Sequence, residues 1–367
     1  MSGDTLPKTP DYFISHLCEL GRQLRTTVIE SRNKGRGFSG VARQTRADTI
    51  YELDMHVEPV LEEFCREWSR EFPLLLIAEG IAQEGCPEGE ACFPIGTPSD
   101  KAAFQLIVDP VDGTRELMYD KRSAWVLAGV APNLGNRTRL SDICVAMQAE
   151  IPTSKQSLGD ILWAARGRGA YAVREDVFTG AQKPLAIHPS RAHDLAHGFG
   201  SVTSFFPGCK TLAAQLLEYI ARGCNGPPHP DQPLLFDDQY ISTGGQLYEV
   251  MMGHDRFVVD IRRALNRIAG MPPGLCAHPY DLSSMLIARE AGIVITNGQG
   301  EQVDGPLDIH ASISWAAYAN AAIAGKVEPL IAAFLEAIGR RRDHRIRLDP
   351  TLAREIAVSP EFNPNGN

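Results

Sequence analysis

A chain of 367 residues, 44% hydrophobic and 22% charged, has the composition of a soluble globular protein that can bury a substantial core. Its formal net charge of −9 argues against a nucleic-acid polymer or an acidic membrane surface as partner. No apolar run approaches bilayer-spanning length, and the opening M-S-G-D-T-L-P-K-T-P lacks the charged-then-apolar pattern of an export signal, so a cytoplasmic protein is expected. The eight cysteines are scattered without a C-x-x-C pair and read as reduced, mostly buried thiols, a Cys86–Cys92 bridge being the alternative.

Apolar positions at helical spacing from Phe13 to Val28 predict an amphipathic helix over Asp11–Glu30, followed by a basic, Gly-rich mobile connection over Arg32–Gly40. Val57, Val60, Leu61 and Phe64 predict a second helix with Asp54 near its start, where an acid also serves as a macrodipole device. Phe72–Ala78 reads as a buried strand ending on Glu79-Gly80; a carboxylate at such a tip is costly unless paired or metal-bound. The Pro/Gly/Cys-rich stretch Glu84–Asp100 reads as an exposed loop.

Phe104–Leu117, F-Q-L-I-V-D-P-V-D-G-T-R-E-L, is the stretch with the most chemistry. A buried strand runs into Asp109-Pro110-Val111-Asp112-Gly113-Thr114, where Pro110 withholds a ladder donor and Gly113 permits a sharp turn. Thr114 is placed to cap a helix from Arg115. Two carboxylates three apart on this turn suit a hard divalent cation, and the helix start beside them suits phosphate.

Further on, Ala124–Val130 and Ser141–Ala149 read as strands, and Asp160–Ala165 with Gly169–Val173 as a hairpin. The A-R-G-R-G between them is either a plain turn or an anion-holding loop. Polar composition near Arg174–Pro189 sets the boundary between an N-terminal half, 1–185, and a C-terminal half, 186–345, with a polar tail at 346–367. In the second half a helix is expected over Leu212–Ile220. Ser242 or Thr243 caps another, with Gly244 and Gly245 leaving backbone exposed. A strand Arg256–Ile261 precedes an inserted helix-and-turn at Arg262–Leu275, and Asp281 starts a helix. Trp315–Ala324 and Glu328–Arg340 are read as helices.

Four of these segments, in order, resemble the inositol monophosphatase superfamily of magnesium-dependent, lithium-sensitive phosphatases, over roughly Arg46–Gly292. D-P-V-D-G-T matches its signature, and A-E-G resembles its upstream glutamate motif. D-T-I-Y-E-L-D resembles its early aspartate motif, and P-Y-D-L-S-S-M-L-I-A-R-E-A-G its late Trp-Asp motif. L-W-A-A-R-G-R-G-A-Y and S-T-G-G-Q-L are weaker likenesses. The resemblance implies an α+β fold, a layered α-β-α-β-α sandwich, with the metal site between the halves. It implies that Glu79, Asp109 and the Val111 carbonyl hold one Mg²⁺, that Asp109, Asp112 and Asp281 share a second, and that Glu79 helps with a weaker third. Gly113 and Thr114 would offer N–H groups to the phosphate, the Thr114 hydroxyl and Asp54 would orient and deprotonate water, and Gly244, Gly245, Gln246 and Asp260 would meet the leaving group.

The chain departs from the pattern at Gly80, where a second glutamate is usual, at Tyr51 beside Asp48, and at Tyr280 and Ser283-Ser284. The implied substrate is a small phosphorylated metabolite. D-G-T-R-E-L also resembles the D-G-T-K-E-F of the 3′(2′),5′-bisphosphate nucleotidases, which makes adenosine bisphosphate the rival, with fructose 1,6-bisphosphate behind it. A catalytically silent phosphometabolite-binding protein is the reading from another class. Members of the superfamily commonly dimerise.

Overall fold

The computed structural model describes residues 5–34, 41–44, 49–51, 54–227, 231–272 and 276–340; Asp48 and the tail lie outside them. Helix α1 (Pro10–Asn33) opens the chain, running past the expected Glu30 into the predicted connection. A short antiparallel pair, β1 (Val41–Gln44) and β2 (Thr49–Tyr51), leads to α2 (Asp54–Trp68). Then come β3 (Leu74–Ala78), β4 (Glu90–Phe93), β5 (Phe104–Asp112), the short α3 (Thr114–Met118) and β6 (Ala124–Pro132). Strands β7 (Val145–Ile151), β8 (Leu158–Ala165), β9 (Ala170–Asp176) and β10 (Gln182–Leu185) complete an eight-stranded sheet of order β10-β9-β8-β7-β6-β5-β3-β4. The presumed loop 84–100 thus contributes an edge strand: β4 pairs antiparallel with β3, matching Leu74 to Phe93.

A second sheet starts with β11 (Gly198–Val202), after which come α4 (Lys210–Asn225), β12 (Leu235–Phe236), α5 (Thr243–Met251), β13 (Asp255–Asp260) and α6 (Arg262–Ala269). Helix α7 (Met285–Glu290), β14 (Val294–Thr296), β15 (Trp315–Tyr318) and α8 (Ala321–Arg340) follow, giving the order β12-β11-β13-β15-β14. Expected as helix, Trp315–Tyr318 is a central strand. Trp315 and Ala317 face one core and Ala316 and Tyr318 the other, the alternation of a strand buried on both faces. The two helices read over 315–340 are therefore one strand and one helix, α8, which carries Pro329 within it.

Three apolar clusters define the layers. Phe13, Leu17 and Leu24 of α1 with Val57 and Leu61 of α2 pack on Leu106, Val108 and Val126. The opposite face of that sheet (Ile107, Leu127, Ala146) packs on Leu247 and Met251 of α5, on Met285 and Ile287 of α7, and on Val258 and Trp315 of the second sheet. Phe257, Val259 and Tyr318 on that sheet's far side pack on Leu216 of α4 and Ile331 of α8. The order is helix, sheet, helix, sheet, helix: an α-β-α-β-α sandwich. No helix among the described residues is long and apolar enough to cross a membrane. Every cysteine is free, the Cys86 thiol donating to Gln83 Oε1 at 3.2 Å rather than bridging to Cys92.

In the hairpin between β8 and β9 the A-R-G-R-G turn does hold an anion, one from this chain. The N–H groups of Gly167 and Gly169 both donate, at 2.8 Å, to the carboxylate of Glu290 at the end of α7. Across the sheet, Glu175 on β9 receives Arg22 at 2.7 Å and also Arg25, both from α1. Burial works against ionising Glu175, but the two guanidinium groups outweigh it and hold its carboxyl below the ordinary range. Glu175→Gln would leave Arg25, only 4% exposed, without its countercharge. The expected cost is on the order of 3 kcal/mol, read as a lowered midpoint in urea denaturation. The depressed pKa means the pair stabilises above the ordinary glutamate value and loses that contribution as pH falls, so the variant's stability should fall less steeply on acidification.

Candidate metal centre

The centre forms where β5 meets β6. Asp109 pairs with Leu127 and Asp112 with Trp125, so three steps on β5 oppose two on β6: a β-bulge at Pro110-Val111. On a regular strand, residues three apart point to opposite faces. The bulge lets Asp109 and Asp112 converge, and Pro110, with no N–H, breaks the ladder there without leaving a donor unpaired. The strand accordingly runs through Asp112 instead of ending before Asp109. Gly113, at φ 95°, then turns the chain into α3 as its N-cap, and a Cβ there would lie 3.1 Å from Ser242 Cβ. Thr114 is the first helical residue and not the cap; its hydroxyl donates to the Val111 carbonyl at 2.7 Å.

Asp281 reaches the same point from the turn before α7, held by the His278 N–H at 2.6 Å. The helix it was expected to start begins at Met285, after an N-cap at Ser284. One ligand atom each from Asp109, Asp112 and Asp281 lies within 4.8 Å of the other two. Glu79, Glu58, Val111, Gly113, Thr114 and Tyr280 line the surrounding cleft. Burial, then the charges of Asp112, Asp281 and Glu79, push the Asp109 carboxyl well above its usual value, against the Val111 N–H that donates to it. Asp112 rises to about 6; burial raises it and hydrogen bonds from Gly244, Ser242 and Thr243 oppose the rise. Carboxylates crowded in this way are stabilised by a cation, and an all-oxygen donor set suits Mg²⁺ or a similar hard ion. The residues fit such a group.

Gly244 and Gly245 do not leave backbone exposed; both are buried. The N–H of Gly244 donates to Asp112 at 2.6 Å and that of Gly245 to Ser242 Oγ, the N-cap of α5, at 2.8 Å. Added Cβ atoms would lie 2.5 Å from Leu127 Cδ2 at Gly244 and 2.4 Å from the Tyr240 ring at Gly245. Close packing requires these glycines. Gln246 is buried and donates to Thr203, and Asp260 pairs with Arg262, with Nε and Nη2 at 2.8 and 2.6 Å. None of these four residues lines the cleft. Asp54 opens α2, and its side chain lies outside those described. Ser242, which donates to Asp112 at 2.8 Å, was visible in the sequence only as a cap. Phe205, Phe206, Arg115, Arg262 and His278 also line the cleft, and no local pattern marked them.

No protein-family model matches the sequence. A curated relative, the fructose-1,6-bisphosphatase/inositol-1-monophosphatase of Methanothermobacter thermautotrophicus, is 24% identical over 236 residues, 64% of this chain and 69% of its own. Among solved structures, Leishmania major fructose-1,6-bisphosphatase aligns with TM-score 0.61 and 14% identity, over 90% of this chain and 99% of that one. Thermotoga maritima IMPase aligns with TM-score 0.58 and 16% identity over 90% and 100%, and Mycobacterium tuberculosis SuhB with 0.57 and 15% over 89% and 98%. The fold and the curated relative fit the inositol monophosphatase superfamily.

Saturating Mg²⁺ should stabilise the protein, by about 2.7 kcal/mol at a hundredfold excess over Kd, seen as a higher Tm. In Asp109→Asn that increment should largely vanish. The metal-free variant should melt above the metal-free wild type, because one repelling charge is gone. An unchanged increment in the variant would remove Asp109 from the ligand set.

Proposed function

We propose that the protein is a Mg²⁺-dependent phosphomonoesterase acting on a small phosphorylated metabolite. The convergence of Asp109, Asp112 and Asp281 at a bulge beside the start of α3 carries this reading. In it, Asp109, Asp112, Asp281, Glu79 and the Val111 carbonyl would hold two ions, and Glu79 would help with a weaker third. Divalent cations bound there would supply Lewis-acid stabilisation of phosphoryl oxygens and acidify water near neutral pH.

The chain's own part is positional. Gly113 and Thr114 present N–H groups at the start of α3 to the phosphate oxygens. The Thr114 hydroxyl donates a hydrogen bond to the Val111 carbonyl, which fixes its oxygen as an acceptor that would orient the water attacking phosphorus. Asp54, at the start of α2, takes the proton. Asp112 is held by Ser242 and by the N–H groups of Thr243 and Gly244, which keeps its carboxylate from turning away from the cleft. Gly80 sits at φ 82°, a backbone that disfavours the second glutamate usual in the superfamily.

Phosphate release should be measured on inositol 1-phosphate, adenosine 3′,5′-bisphosphate, fructose 1,6-bisphosphate and histidinol phosphate, with Mg²⁺, without it, and with Li⁺. Turnover of one compound that needs Mg²⁺ and is inhibited by Li⁺ is expected. Thr114→Ala should lower kcat by about 100-fold or more while the Mg²⁺-induced Tm rise persists. A folded, Mg²⁺-binding protein that hydrolyses none of them would instead favour a silent binder of phosphorylated metabolites.

A further inference from the structure

Phe205 and Phe206 line the cleft, half-buried, in the segment that follows β11. Neither belongs to the three apolar clusters that make up the core. Charge holds them in place. The Arg262 guanidinium lies 4.5 Å from the Phe205 ring centroid and 5.5 Å from that of Phe206, and Arg115 lies 5.4 Å from Phe206. The two rings meet edge to face, with centroids 4.8 Å apart at 86°. Arg262 is itself buried and gripped through two nitrogens by the Asp260 carboxylate, itself 1% exposed. Phe206 therefore bridges the metal side, where Arg115 follows Thr114, and the second half, where Arg262 opens α6.

Large apolar rings set at a cleft lined by carboxylates gain little from the core and keep part of their surface in water. The gain comes when an apolar or planar surface covers them. Contacts with two cations hold the rings at little entropic cost, so the platform is ordered before anything arrives. Arg262, paired with Asp260 through Nε and Nη2, supports the rings.

We propose that Phe205 and Phe206 form the leaving-group platform of this site, and that the preferred substrate is a phosphomonoester whose alcohol carries a planar ring. The ring stacks on Phe206 while the phosphate sits at the carboxylate cluster. The inference rests on the phosphatase reading and narrows its substrate class. A polyol phosphate, hydroxylated all round, keeps its water and gains less from the platform.

The test uses the full chain with Mg²⁺ and compares adenosine 3′-monophosphate and adenosine 5′-monophosphate with inositol 1-phosphate and glycerol 2-phosphate. At least one adenosine ester should exceed both polyol esters in kcat/KM by about tenfold or more. Phe206→Ala should raise KM for that ester roughly ten- to a hundredfold, the range of base–aromatic stacking, with kcat and the polyol constants within about twofold. Phe206→Tyr, which keeps a ring, should restore the lower KM. Preference for a polyol ester, or an equal loss on every substrate in Phe206→Ala, would overturn the platform and leave the phosphatase reading standing. No hydrolysis of any of the four by folded, Mg²⁺-binding protein would overturn both.

Discussion

Burying several carboxylates within a few ångströms of one another is among the costliest things a fold can do, and this one does it at the junction of its two sheets. Asp109, Asp112 and Asp281 come from a bulged strand and from a turn far along the chain, and each is held by hydrogen bonds that do not neutralise it. The surrounding architecture supplies that hold. The bulge aims two acids one way, and the central helix layer brings backbone N–H groups to meet them.

Asp112 shows how closely the halves depend on this point. It lies on the first sheet, yet Ser242, Thr243 and Gly244 that hold it open α5 beneath the second. The first turn of α5 has N–H groups in need of acceptors, and Asp112 has a charge in need of donors. Each satisfies the other only if the helix comes close enough for Gly244 to touch Leu127 and Gly245 to touch Tyr240. A side chain at either position would push the helix off the carboxylate. Packing and electrostatics set the same distance here.

The sequence conveyed what is local and periodic. Apolar spacing located α1 and α2, the apolar run located β5, and two of the four acidic motifs carry the aspartates that cluster in the structure. Features that depend on distant partners were not legible. D-P-V-D read as a turn because Pro110 ends most ladders; only pairing of Asp112 with Trp125 shows that the strand resumes beyond the bulge. W-A-A-Y read as helix because a short apolar run beside an alanine-rich helix has no period of its own to separate the two. Two adjacent glycines signal permissive backbone, but whether they serve exposure or close approach is decided by Leu127 and Tyr240, far off in sequence. No local pattern marked Phe205 and Phe206, because the arginines that support them lie on α3 and α6.

The sign of the cleft follows from the same residues. Its lining carries Glu58, Glu79, Asp109, Asp112 and Asp281 against Arg115 and Arg262, so the side chains alone repel a phosphate dianion. A guanidinium beside three carboxylates would ordinarily pair with one of them and collapse the cluster. Arg262 feels the charge of Asp281, yet Asp260 grips it through two nitrogens. On the proposed reading that grip leaves the acids to a hard cation, which would reverse the local sign and make the cleft attractive to phosphate. Asp260, absent from the cleft lining, would on that reading act by keeping an arginine from pairing with the metal ligands.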